Sequence, residues 1–166
     1  MCFRADLKER PDIFPGVWSF SNPKFATHLF ICSSIHDATA WLQFHQHCYR
    51  DLTVLYFFDI GSVPHPFHAE YIQQYAPSQK LHFLFSKDDT GALCDLKLAS
   101  YIRQKPIKIY FRDHAFEILF ENKSYKIPHL SLNALEKASG YNFKIRTHKP
   151  KNATTFYEQL RTRHHP

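Results

Sequence analysis

The apolar residues of this chain follow two patterns. Residues 27–32 (THLFIC), 52–58 (LTVLYFF) and 81–85 (LHFLF) are nearly unbroken apolar runs of strand length. After the first and third runs the apolar positions recur every three to four residues: Ala38, Trp41, Leu42 and Phe44, then Leu93, Leu96, Ala99 and Ile102. That period places one helical face against a core, so helices are predicted over 35–47 and 92–103; a helix is predicted over 66–75 as well, between them. Pro77 and Pro106 end the second and third, because proline lacks the N–H a helix needs.

Three strand–helix alternations imply parallel strands joined by right-handed crossovers. Strands apolar on both sides imply a sheet covered on both faces. The predicted fold is therefore α/β, with an open, mainly parallel central sheet and helices on both faces. Residues 107–111 (IKIYF) alternate polar and apolar, which predicts a fourth strand nearer an edge. Residues 116–121 and 124–127 flank Asn122-Lys123 and predict a β-hairpin that elaborates the C-terminal half. Ser131 is placed to cap a helix over 132–139 that Gly140 ends. A last strand is expected over 143–147 and a final helix over 153–161, capped by Asn152. The 1–26 segment, punctuated by Pro11, Pro15 and Pro23, reads as irregular with a short strand over 16–21. Length suits a single domain over 1–166, with 113–141 as a hairpin–helix insertion.

Composition narrows the class. Hydrophobic residues are 44% of the chain and aromatics 16%, enough to build a core and too many for a disordered chain. No apolar run approaches the ~18 residues of a membrane span, and residues 1–6 show no secretory pattern. Cys2, Cys32, Cys48 and Cys94 are widely spaced, without a C-x-x-C, and read as thiols of a reducing compartment. A cytoplasmic protein without a membrane partner is expected. Charge is uneven: residues 1–83 hold 6 Lys/Arg against 7 Asp/Glu, and residues 84–166 hold 15 against 8. The basic half points to a polyanionic partner. Its candidate contacts are Lys105, Lys108, Lys144, Arg146, Lys149, Lys151 and Arg161, interleaved with aromatics that could stack on bases.

Metal-ligating residue types occur at His45, His47, Cys48, His65 and His68. Helical neighbours two apart do not share a face, so zinc is not expected. A Cys–His hydrolase is disfavoured too, since Cys32 falls inside a buried strand, where a thiol is inert.

The residues directly after the strands carry the remaining chemistry. They are Ser33, Ser34 and Asp37; Asp59 and Gly61; then Ser86, Asp88, Asp89 and Gly91. In an open parallel sheet, ligands collect beyond the carboxyl ends of the strands. Carboxylates gathered there would suit a divalent cation, although Asp and Ser are also ordinary helix caps.

The order of these residues resembles the Toprim domain, in particular the primase-type domains of mobile elements. Residues 31–38 (ICSSIHDA) lie where that family has a strand and a Glu-Ser-x-x-Asp-Ala-like turn. Residues 85–91 (FSKDDTG) lie where it has a strand and Asp-x-Asp-x-x-Gly. Residues 149–160 resemble its closing Lys-Asp-Trp-Asn-x-x-Leu segment. The family's Glu falls on Ser33 and the first Asp of its pair on Ser86, while Asp88 is retained. The resemblance thus implies a catalytically degenerate Toprim-like protein. No cofactor is expected, and the partners implied are nucleic acid, DNA more than RNA, or a replication or mobilisation protein. Two alternatives follow. One is an active Mg²⁺-dependent nuclease or primase-type transferase, with Asp59, Asp88 and Asp89 as a displaced metal cluster. The other is a protein-interaction module that does not touch nucleic acid.

Overall fold

The computed structural model describes residues 17–19, 25–112 and 115–164. Most of the 1–26 segment lies outside these residues; within it, β1 is Val17–Ser19. The chain continues through β2 (His28–Cys32), α1 (Ile35–His45), β3 (Leu55–Asp59), α2 (Pro66–Tyr75), β4 (Lys80–Leu84) and α3 (Asp89–Arg103). After α3 come β5 (Ile107–Arg112), β6 (Ala115–Phe120), β7 (Lys123–Ile127), α4 (Leu132–Ser139), β8 (Ile145–Thr147) and α5 (Phe156–His164).

Two sheets form. The first has the order β1-β3-β2-β4-β8. In it β2, β3, β4 and β8 are parallel, and β1 closes one edge antiparallel to β3. The parallel core bears out the α/β expectation. Side chains alternate across it as the pleat requires. Leu29, Ile31, Tyr56, Phe58, Leu81 and Phe83 pack towards α2 and α3. Phe30, Cys32, Leu55, Phe57 and Leu84 pack towards α1 and Phe156 of α5. Both faces are covered, which is why these strands read as continuous apolar runs. Each fully buried Phe contributes about 1.5–3 kcal/mol relative to exposure.

The second sheet, β5-β6-β7, is antiparallel. It corrects the expectation that residues 107–111 form an edge strand of the main sheet. Pairing Ile107–Phe120 through Arg112–Ala115 joins β5 to the hairpin instead. The fourth parallel place goes to β8, paired with Leu81–Phe83 of β4. Strand alternation specified that β5 has one inward face, and that face (Ile107, Ile109), partly buried, packs with Ile118 and Phe120 in the α2/α3-side core.

Helix ends follow capping chemistry. Ser34 caps α1 and Ser131 caps α4, whose end is Gly140 in the left-handed region. Three helices have bounds other than those expected, and α1 ends at His45 rather than 47. Helix α3 begins at Asp89, because Asp88 caps it. Helix α5 begins at Phe156 rather than 153, and Asn152 does not cap it: the Asn152 N–H donates to the Gln159 side chain. Among the described residues, no helix is long and apolar enough to cross a membrane.

Candidate functional site

Counted among the parallel strands alone, the spatial order is second, first, third, fourth. The chain leaves β2 to one side for β3 and to the other for β4, so the topological switch point lies between β2 and β4. In such sheets the crevice at the carboxyl ends of these two strands is where ligands bind. Cys32 is in register with Leu84 and with Asp59. Asp59, Ser33 and Ser86 therefore stand at the ends of three adjacent strands, on one edge. Ser33 and Ser86 flank the switch point itself.

Backbone N–H groups occupy the acids on this edge. Asp59 accepts from Ile35 N–H at 3.0 Å with one oxygen and from Gly61 N–H at 2.9 Å with the other. It thereby ties the end of β3 to the start of α1. Asp88 Oδ1 accepts from the Ser86 hydroxyl at 2.6 Å and from Gly91 N–H at 2.8 Å. The Ser86 hydroxyl, with help from Gly91, holds the Asp88 carboxyl below its usual range. Gly91 is needed for contact: a Cβ there would lie 2.0 Å from the Ser86 carbonyl oxygen. Asp89 is exposed in the first turn of α3, where its charge suits the helix dipole.

The closing segment crosses this edge. Lys87 N–H donates to the Thr154 carbonyl at 2.8 Å, and Lys87 Nζ donates to the Lys151 carbonyl at 2.9 Å. On the β2 side, Asp37 accepts from Tyr157 N–H at 2.9 Å and so caps α5 from α1. Burial pushes the Asp37 carboxyl up, against the hydrogen bonds from α5 and Thr155. Residues 154–157 thus bridge the two turns that line the switch point.

Beneath the bridge, Lys149 Nζ donates to the Ser86 carbonyl at 2.8 Å and the Phe85 carbonyl at 3.1 Å. It also pairs with Asp95 Oδ2 of α3 at 2.7 Å. Asp95 is 1% exposed, and its Oδ1 has no partner. Burial outweighs the lysine and pushes the Asp95 carboxyl up to about 6. Such a pair contributes little net stability while intact, because desolvation offsets attraction, but breaking it leaves a buried charge uncompensated.

The predicted cationic set divides. Lys149 is engaged with Asp95, and Lys105 pairs with Glu121; neither presents a free charge. Lys108 lies apart on β5 of the small sheet. Lys144 just before β8, Arg146 on β8, Lys151 in the following segment and Arg161 on α5 are exposed, with no carboxylate partner among the described residues. Glu158, the one acid in this stretch, accepts from Thr154 and Thr155 N–H. Arg161 lies 5.9 Å from the ring of Tyr157, itself 43% exposed.

Among the singled-out histidines and cysteines, His65 N–H donates to His68 Nδ1 at 3.0 Å at the start of α2. Cys48 Sγ lies 3.4 Å from His47 Nε2 in the turn after α1. Burial pushes the Cys32 and Cys94 thiols up. No group of three or more His, Cys, Asp or Glu among the described residues is arranged to hold a metal ion.

Sequence reasoning missed Asp95 and three histidines, His28, His82 and His148. Asp95 sits on the buried face of α3, a placement its helical phase, three after Ala92 and four before Ala99, could have signalled. The histidines lie 54 and 66 residues apart in the chain, and no local spacing links them. The chain matches no protein-family model, and neither a curated protein nor a solved structure matches it.

Proposed function

We propose that this chain is a Toprim-like protein whose metal-binding acids have been neutralised, and that it binds nucleic acid, DNA in the first place. It would act as an accessory component of replication or mobilisation rather than as a phosphoryl-transfer enzyme.

One observation carries the reading. The three stretches behind the resemblance are remote in sequence, yet they meet at the switch point: Ser33–Asp37 after β2, Ser86–Gly91 after β4, and residues 149–157 across both. Serine stands at two positions where the family has carboxylates. A neutral hydroxyl is a poor ligand for a hard divalent cation. Asp59 and Asp88, which could compensate, already accept backbone hydrogen bonds. The exposed cations of β8 and α5 supply phosphate contacts without base readout, which gives salt-dependent and weakly sequence-selective binding.

Fluorescence anisotropy with single-stranded and duplex DNA and with RNA, over a salt series, tests the proposal. Affinity should fall steeply with salt and drop on combined charge reversal at Lys144, Lys151 and Arg161, with DNA preferred over RNA. Mn²⁺-dependent cleavage or primer synthesis lost in Asp88→Ala would overturn the degenerate reading in favour of an enzyme. Salt-insensitive failure to bind any nucleic acid would leave the protein-interaction module.

A further inference from the structure

On the α1 side of the main sheet, three imidazoles form one hydrogen-bonded file. His28 Nδ1 lies 2.9 Å from His82 Nε2, and His82 Nδ1 lies 2.9 Å from His148 Nε2. His82 is 3% exposed, while His28 and His148 are half-buried. The file runs diagonally, because Phe30 of β2 is in register with His82 and Phe83 of β4 with Thr147 of β8.

Each hydrogen bond in the file takes one proton. Neutral His82 has a single N–H, so it donates to one neighbour and accepts from the other. The three tautomers are therefore coupled. With all protons on Nε2, the His28 end points an N–H outward; with all on Nδ1, the His148 end does. One added proton gives four N–H groups for two internal bonds, and both ends then donate outward.

The surroundings are cationic. Lys80 stands directly across from His28, and Arg146 directly across from His82, on the same face. Both are exposed. Helix α1 contributes His45, whose charge acts on His148, and Trp41, edge-on to His148 at 5.4 Å. Tyr49 stands edge-on to His28 at 5.6 Å, and Phe156 of α5 packs against His45. Among the described residues no carboxylate acts on any ring of the file. Burial first, and these neighbours second, hold the rings neutral, with His148 at about 4 and His82 at about 3. Two cations and three neutral imidazoles thus share one sheet face with no counter-charge.

We propose that this face is a seat for a phosphodiester of the nucleic-acid backbone, and that binding the phosphate takes a proton into the histidine file. The proposal rests on the nucleic-acid reading above and adds its regulation by pH. A phosphate beside Lys80 and Arg146 reverses the sign of the local field, and the Arg146 guanidinium matches its oxygens as a two-pronged donor. The file then holds its extra proton at higher pH, and an outward N–H becomes a further donor to the anion. A lone half-buried histidine would lack this coupling: here a proton entering at one exposed end arms the other through His82.

Two measurements on the whole chain test it. Oligothymidylate is the first probe, because its charge is constant over the range used. At fixed salt, its affinity should rise from about pH 7.5 to about pH 5.5, towards the tenfold-per-unit limit of one proton taken up. His148→Gln should flatten that slope, whereas Lys151→Glu should weaken binding at every pH and keep the slope. Histidine ring NMR with dimethyl phosphate is the second measurement. The titration midpoints of His28 and His148 should rise on adding it, and the response should vanish in Arg146→Ala. Oligothymidylate binding that ignores pH, or a slope retained in His148→Gln, overturns the proposal and leaves the nucleic-acid reading standing. No oligothymidylate binding at any pH, with duplex DNA and RNA failing likewise, overturns that reading. The ring response to dimethyl phosphate then decides the seat alone: raised midpoints uphold it as an oxyanion site, and unmoved rings end it.

Discussion

The carboxyl edge of the parallel sheet and its α1 face treat their polar groups in opposite ways. At the carboxyl end, Asp59, Asp88 and Asp37 each accept main-chain N–H groups. These bonds commit them to the fold, where they close turns and cap helices. On the α1 face, the rings of His28 at the start of β2, His82 in the middle of β4 and His148 just after β8 bond to one another along the file, beside two exposed cations. A polar group paired with backbone is committed to structure, because removing it strands a buried donor. Groups paired with each other can be re-protonated without undoing a turn. The contrast locates architecture at the edge where the family resemblance lies, and leaves chemistry free on a face that the resemblance did not mark.

The largest effect should come from the ion pair beneath the switch point. Lys149→Met leaves Asp95 buried without its partner and should cost about 3–5 kcal/mol in urea unfolding. Adding Asp95→Leu should restore much of that loss. If the double variant is no better than the single one, the two side chains are not coupled, and the carboxyl edge is not built around them.

Asp59 sharpens the contrast within that edge. Asp59→Ala frees the N–H groups of Ile35 and Gly61 and should destabilise by about 2 kcal/mol. Asp89→Ala, at an exposed site, should stay within about 0.5 kcal/mol. Equal costs would mean that the acids do not differ in role.

The histidine face predicts a pH dependence of known sign. His82 has a folded-state value of about 3, below the ~6.5 of an unfolded histidine. The unfolded chain therefore binds the proton first. Stability from keeping this ring neutral is fully present above about pH 6.5 and is lost as pH falls towards 3. Between pH 7 and pH 5 the loss should be about 2 kcal/mol for His82 alone. His68, held at about 4 chiefly by burial, adds a loss of the same sign. Chemical denaturation across this range, with His82→Phe as the control, measures the file's share. A variant with the same pH slope as the wild type would remove His82 as the cause.

The smallest expected effect is on binding. Reversing Lys151 alone should lower the slope of log affinity against log salt by about one. An unchanged slope would place the phosphate contacts elsewhere on β8 and α5.

Local pattern by itself determined much of this protein. The runs at 27–32, 52–58 and 81–85, and the helical periods after the first and third, specified the βαβ core, because a strand covered on both faces must be apolar on both. Ser131 and Gly140 specified α4, because caps act within one turn. Side-chain pattern at residues 107–111 could say that one face packs inward but not against which sheet. That was decided by the backbone pairing with β6, which only the folded chain supplies. The same limit hid the uses of Asp37, Asp59 and Lys149. Each bonds a main-chain group or side chain brought near by topology, 120 residues away in the case of Asp37 and Tyr157. It also hid the histidine file, since imidazoles on β2, on β4 and just after β8 become neighbours only when the register of these strands aligns them. Sequence period encodes which face is buried; strand order and register decide which residues meet on it.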